Sequence, residues 1–165
     1  MKKLVVILLP LMLIAFVTGG TPWAQEKGNI ELKAVAEVEV EEFNEEGMKV
    51  IKRVPAGKVL PGTEVIYTVF YTNVGKAPAE KVIITNPIPE HMVYKEGSGF
   101  GEGTVITFSV DKGKTYDVPE NLKVVGDDGK GHPAKASDYT HVRWSFPGPL
   151  PAHAEGHVSF RAILE

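Results

Sequence analysis

The amino-acid sequence predicts an all-β protein with the architecture of an antiparallel β-sandwich. From residue 30 onward, apolar and polar residues alternate in about eight short segments, which is the period of strands that bury one face. Glycine and proline, 17 and 12 of the 165 residues, punctuate the connections between these segments. No apolar repeat of helical period has a useful length outside the N-terminal segment, so no helix is predicted in the rest of the chain.

The first predicted strand pair lies between residues 30 and 54. Ile30–Phe43 alternates apolar and charged residues, with Val38 and Val40 set between glutamates. This period of two predicts a strand with one face in solvent. Asn44–Gly47 predicts a turn, and Met48–Val54 returns with the same alternation.

The strongest predicted strand of the chain is Thr63–Asn73. Its alternating residues divide into two faces, with Tyr67, Val69 and Tyr71 on one and Thr68, Phe70 and Thr72 on the other. A turn follows this strand, and Asn73 and Gly75 are both residues that tolerate positive φ in turns.

Lys81–Tyr94 predicts a strand that breaks at Asn86, because Pro87 and Pro89 cannot donate to a sheet ladder. The glycine-rich stretch Gly97–Gly103 then predicts a flexible loop. It lacks the lysine and serine that end a P-loop and the spacing of a dinucleotide-binding loop, and no helix follows to hold a phosphate.

The C-terminal part of the chain predicts four more strands. Thr104–Asp111 is followed by the shorter Val118–Val125, and Gly126–Gly131 predicts a turn. The last two strands are His141–Phe146 and His157–Glu165. Their inward-facing residues are Val142, Trp144 and Phe146 in the first, and Val158, Phe160, Ala162 and Leu164 in the second.

Large aromatic and β-branched residues supply the predicted core. They fit a pleated, half-buried surface, and they bury the most apolar area per residue. We therefore expect the packing between two sheets to include Tyr67, Val69, Tyr71, Trp144 and Phe160.

The N-terminal residues 1–24 predict a cleavable secretory signal peptide with a helical apolar segment. Lys2 and Lys3 precede the apolar run Leu4–Val17, and small and turn-forming residues follow it. The run is short for a bilayer core of about 30 Å, which favours a signal over the alternative of an uncleaved anchor. Cleavage after Gly20 and after Ala24 both fit, and we expect an exported chain, periplasmic or extracellular, with one domain at 28–165.

Composition excludes several function classes. The chain has no cysteine, which excludes lipoprotein processing, disulfides, thiol chemistry and cysteine-bound metals. Its net charge is −3, and removal of the signal leaves 16 basic against 21 acidic residues. A mildly acidic domain without a basic face is a poor match for nucleic acid, so no nucleic-acid partner is predicted.

A series of landmark residues lies between residues 59 and 164. They are Pro61-Gly62, Tyr67, Asn73, Gly75, Val82, Ile84, the turn 86–89, Trp144, Leu150, Gly156 and Phe160. In the order and spacing of these landmarks, residues 59–164 resemble the DUF11 family, a repeat domain of bacterial and archaeal envelope and surface proteins. The resemblance implies an immunoglobulin-like sandwich used as a structural or spacer module without catalysis. The chain departs from the family pattern at Asn86, where the family usually has an aspartate, and it has one unit where the family often has tandem copies.

No catalytic, cofactor or metal site is predicted. The five histidines, at 91, 132, 141, 153 and 157, lack the spacings of metal ligands, and no serine lies in a Gly-x-Ser-x-Gly elbow. The glutamates at 37, 39, 41 and 42 alternate as a solvated strand face would. Asp127 and Asp128 form the best candidate calcium loop, although the twelve-residue EF-hand frame is absent.

These observations predict a non-enzymatic exported module of the cell envelope, structural or protein-interacting, whose partner is an envelope or extracellular protein. The alternative is a ligand-binding sandwich for carbohydrate or for calcium-dependent surface attachment, with its site in the loops Gly97–Gly103 and Gly126–His132. Exposed aromatic residues in loops would favour sugar binding, and the candidates are Phe100, Tyr116 and Tyr139. No stable membrane span is expected after signal cleavage.

Overall fold

The computed structural model describes residues 29–126 and 128–165. The predicted signal peptide at 1–24 and Asp127 lie outside the described residues. Within them, no helix has the length and apolar character needed to cross a membrane. The strands are β1 (Ile30–Phe43), β2 (Lys49–Pro55), β3 (Glu64–Asn73), β4 (Ile83–Pro87), β5 (Met92–Tyr94), β6 (Phe100–Gly101), β7 (Val105–Ser109), β8 (Lys123–Val125), β9 (Gly131–Pro133), β10 (His141–Ser145) and β11 (Glu155–Leu164).

The strands form two main antiparallel sheets, which confirms the predicted all-β class. The larger sheet has the order β2-β1-β3-β11-β5, and β6 pairs with β11 beside β5. The smaller sheet has the order β4-β10-β7. β8 and β9 form a separate hairpin, and the only helical elements among the described residues are 3₁₀ turns at Pro119–Asn121 and Ala136–Asp138.

Side chains from both sheets meet in one hydrophobic core. Trp144 on β10 and Phe160 on β11 are 0% exposed, and their ring centroids lie 6.3 Å apart. Tyr67 is half-buried and stacks on Phe160 at 5.1 Å. Burial on both inner faces gives a β-sandwich-like architecture and confirms the predicted core. Its other buried strand residues are Val69, Tyr71, Ile84, Tyr94, Phe108, Val142, Val158 and Ala162.

The chain turns after β3 without positive φ at Asn73 or Gly75. Asn73 is 0% exposed, and its side-chain amide donates to three backbone carbonyls, each at 3.0 Å. Its side-chain oxygen accepts from the N–H of Gly75 at 3.0 Å. A Cβ on Gly75 would lie 2.8 Å from Asn29 Cβ, so this glycine is required by space. The residue with positive φ in this connection is Lys81.

Other predicted boundaries change as well; most shift by one or two residues, and β9 was not predicted. β4 continues through Pro87, which is possible because β4 is an edge strand. The predicted strand Val118–Val125 is a 3₁₀ turn followed by β8. The Gly97–Gly103 loop contains β6, which lies against β11 because Gly101 has no side chain: a Cβ there would be 2.6 Å from Trp144 Cδ1.

Candidate functional site

A long hairpin of β1 and β2, here called the ribbon (residues 37–55), extends from the larger sheet. β1 pairs with β3 over Ile30–Glu37 and with β2 over Glu37–Phe43. The strand register places Glu39 level with the first residue of β3, so the four following residues of β1 project beyond it. At about 3.4 Å per residue, the projection is roughly 14 Å.

The turn of the ribbon is fixed by Asn44. Its side-chain oxygen accepts from the N–H groups of Glu46 at 3.1 Å and Met48 at 2.8 Å. Its backbone closes the turn with Met48 and with Gly47, whose φ is +75°. Asparagine and glycine favour this conformation for these reasons, and the turn predicted at Asn44–Gly47 is confirmed.

The ribbon carries apolar side chains that no other element covers among the described residues. Phe43 is 77% exposed, Ile51 69% and Met48 54%. Its three basic side chains pair with glutamates across the two strands: Lys49 with Glu41 at 2.6 Å, Lys52 with Glu42 at 3.6 Å, and Arg53 with Glu39 at 3.3 Å. Cross-strand ion pairs thus hold the two strands together and leave the apolar groups to solvent.

The ribbon is tied to the sheet by an ionic cluster on the outer face, the face opposite the core. Arg161 of β11 donates to Glu39 of the ribbon at 3.0 Å and to Glu64 of β3 at 2.7 Å. Lys95 donates to Glu64 at 2.6 Å. Hydrogen bonds from Arg161 to Glu39, and from Lys95 and Arg161 to Glu64, hold the pKa of each carboxyl below its usual value. The cluster therefore stays ionised at neutral pH.

A second exposed surface, here called the aromatic row, consists of Phe70, His157 and Phe100. Phe70 on β3 lies opposite His157 on β11, and their ring centroids are 5.9 Å apart. Phe100 on β6 stacks on the other side of His157 at 5.1 Å. Phe70 is 45% and Phe100 48% exposed, and His157 is exposed as well. The row therefore offers adjacent ring surfaces to solvent on the outer face.

Polar groups lie beside the aromatic row. Thr72 and Glu155 form a pair across β3 and β11, next to the pair of Phe70 and His157, and all four residues line one recess. Planar rings beside hydroxyl and carboxylate groups are a combination suited to sugar rings. Of the residues in the aromatic row, only Phe100 was a candidate from sequence, because the strand pairing that brings Phe70 and His157 to it cannot be predicted from local pattern.

The other predicted aromatic candidates do not join this surface. Tyr116 lies under Arg143, whose guanidinium carbon is 3.3 Å from the ring centroid. Tyr139 stacks on Phe108 at 4.6 Å at the border of the core. Both rings are thus partly occupied by contacts within the protein.

In the predicted loop Gly126–His132, the described residues Gly126 and 128–130 lie between β8 and β9, and Gly131 and His132 belong to β9. The N–H of Gly126 donates to the carbonyl of Lys130 at 2.9 Å. Asp128 accepts from the N–H of Lys130 at 3.0 Å and lies 2.9 Å from His132 Nε2, contacts that lower the pKa of its carboxyl. The Asp128 carboxylate therefore makes its contacts with residues of the same hairpin.

Across 29–126 and 128–165, no three His, Asp or Glu side chains are grouped as a metal site would require. His91 and His153 are turn residues with positive φ. His141 lies against Thr140 and Tyr116. The histidines thus occupy separate places in the fold.

Comparison with protein-family models, with curated proteins and with solved structures gives no match for this chain.

Proposed function

We propose that this chain is a non-enzymatic, exported structural or protein-interaction module of the cell envelope, and that the ribbon binds its protein partner. The observation that carries the proposal is a two-stranded ribbon with Phe43, Met48 and Ile51 exposed. A hairpin without a third strand or a packed face is marginally stable in water. Exposed apolar groups gathered on such an element are typical of interaction sites.

The remaining strands offer a rigid base for such a ribbon. β3 and β11 are paired on both sides, and the ionic cluster around Arg161 fixes the root of the ribbon to them. The root of the ribbon would therefore be fixed before binding, so that a partner would have to order only the part beyond Glu39.

The resemblance to DUF11 supports an immunoglobulin-like form of the sandwich and a place in the envelope. The N-terminal pattern of residues 1–24 supports export. Mass spectrometry of the exported chain tests this part: we expect the mature protein to begin at residue 21 or 25. A chain retained in the membrane fraction with Met1 intact would contradict it.

The partner is tested by capture from envelope and culture fractions. The bait is the wild-type chain, the double variant Phe43→Ser/Ile51→Ser, or Val125→Ser, which alters a residue that is 78% exposed on β8. We expect one dominant protein with the wild type and with Val125→Ser, and its loss with the ribbon variant. Equal capture by all three baits would refute the role of the ribbon.

A second candidate function is carbohydrate binding, and the aromatic row is the observation that favours it. Electrophoresis in gels containing envelope polysaccharide tests it with Phe70→Ala/Phe100→Ala against Leu60→Ala, since Leu60 is 76% exposed elsewhere. Retardation lost only in the aromatic variant would support this function, and unchanged mobility of the wild type would exclude it for those polysaccharides. A chelator added to both experiments tests calcium-dependent attachment.

A further inference from the structure

A cavity of about 550 Å³ opens beside the core residues Tyr94 and Phe108, and its lining shares no residue with the ribbon or with the aromatic row. Its walls come from β5 and the loop after it, from β7, from the 3₁₀ turn at Pro119–Asn121, and from Ala134 and Tyr139. This volume lies within the range of small-molecule sites, about 300–1,000 Å³. The cavity is thus large enough for a small organic ligand.

Three aromatic rings form one wall of the cavity. Tyr94 meets Phe108 edge to face at 4.9 Å, and Tyr139 stacks on Phe108 at 4.6 Å. The hydroxyl oxygen of Tyr94 accepts from the N–H of Gly99 at 2.9 Å. A Cβ on Gly99 would approach that oxygen to 3.0 Å, so glycine permits this contact. The wall is therefore held in place before any ligand arrives.

Two carboxylates, Glu96 and Glu120, complete the lining, and no basic residue takes part in it. Neither carboxylate forms an ion pair in the part of the chain that the structure describes. The adjacent Lys95 has its ammonium group on Glu64, 2.6 Å away. Burial, and then the charges of Glu96 and other acidic groups, raise the pKa of the Tyr139 hydroxyl. The charged groups that line the cavity are thus carboxylates alone.

We propose that this cavity binds a small organic cation, an alkylammonium ion with an apolar body. The aromatic wall would receive the apolar body, because burial of apolar surface and the π-electron faces of rings both favour such a cation. Glu96 and Glu120 would attract the positive charge of the ligand, whereas they would repel an anion and give a neutral ligand no such attraction. The inference is independent of the ribbon and of the aromatic row, so it stands or fails separately from the proposed function.

Choline and its neutral analogue 3,3-dimethylbutan-1-ol are the probes, because they share shape and differ in charge. Binding to the purified chain is followed by amide chemical shifts in ¹H–¹⁵N spectra. We expect choline to shift the amides of Gly97 and Gly99 saturably, and the neutral analogue to bind about tenfold more weakly. Equal affinity of the two probes, or no shift with choline, would overturn the proposal.

Charge-removing variants give the second arm of the experiment. Glu96→Gln/Glu120→Gln keeps the shape of both side chains, and we expect it to weaken choline binding about tenfold while leaving the spectrum of the core unchanged. The matched control is Glu45→Gln/Glu46→Gln, which removes two charges from the turn of the ribbon. Equal effects of the two double variants would show that only net charge matters and would overturn the site.

Discussion

The substitution Phe160→Ala tests the physical basis of the fold most severely. Phe160 is 0% exposed, stacks on Tyr67 at 5.1 Å, and contacts Tyr94 and Trp144 with centroid distances of 6.1 and 6.3 Å. Core Phe→Ala changes cost about 3–5 kcal/mol. Because Phe160 has three aromatic neighbours, each worth about 0.5–1.5 kcal/mol beyond burial, we expect a loss in the upper half of that range.

A loss of this size would remove a large part of a typical total stability of about 5–15 kcal/mol. The assay is urea unfolding, followed by fluorescence in a Trp23→Phe background that leaves Trp144 as the single tryptophan. The control is Phe70→Ala on the outer face of the same sheet, where we expect no more than about 1 kcal/mol. Two results would refute a core shared by the two sheets. One is a loss of unfolding free energy below about 1 kcal/mol for Phe160→Ala, and the other is a loss for Phe70→Ala that exceeds the loss for Phe160→Ala.

Three further outcomes follow from close contacts and hydrogen bonds. Gly101→Ala should cost about 1–3 kcal/mol in chemical unfolding, because its Cβ would lie 2.6 Å from Trp144 Cδ1, whereas Gly148→Ala, with open space around it, should be neutral. Asn73→Asp should destabilise more than Asn73→Ser in thermal unfolding, since it sets a buried charge against three carbonyls. Hydrogen bonds from Thr115, Ser109 and Lys114 hold the pKa of the Asp111 carboxyl well below its usual value. Asp111 therefore stabilises the fold above about pH 4 and loses this effect as pH falls. In Asp111→Asn, the free energy of unfolding should fall less between neutral and acid pH than in the wild type. The same pH dependence in both proteins would contradict this prediction.

The strands of the sandwich could be predicted because their alternation is local. β1 begins and ends where its alternating pattern does, and β3, β10 and β11 bury most of the residues that their period of two places inward. The role of Asn73 in the turn after β3 could not be predicted, because Asn73 donates to carbonyls of residues 77 and 78 positions away. β6 could not be predicted either, because a strand of two residues has no periodic pattern. Its pairing with β11 depends on the absence of a side chain at Gly101, next to Trp144.

The candidate surfaces were less accessible from sequence than the fold. The aromatic row depends on the register between β3 and β11, and the cavity depends on side chains from four separate segments. Charge alternation in β1 did suggest a solvent-facing strand. It could not show that the apolar residues of the ribbon also stay uncovered, because that depends on where β3 starts.

Hydrogen–deuterium exchange of the ribbon, in the free chain and in the complex with its captured partner, tests the central claim most directly. We expect amides of residues 40–43 and 49–52 to exchange far faster than those of β3 in the free chain, because only one strand covers each of them. We expect the same amides to be protected in the complex, while those of the β8–β9 turn stay unchanged. Ribbon amides as protected as β3 in the free chain, or unaffected by the partner, would contradict the account.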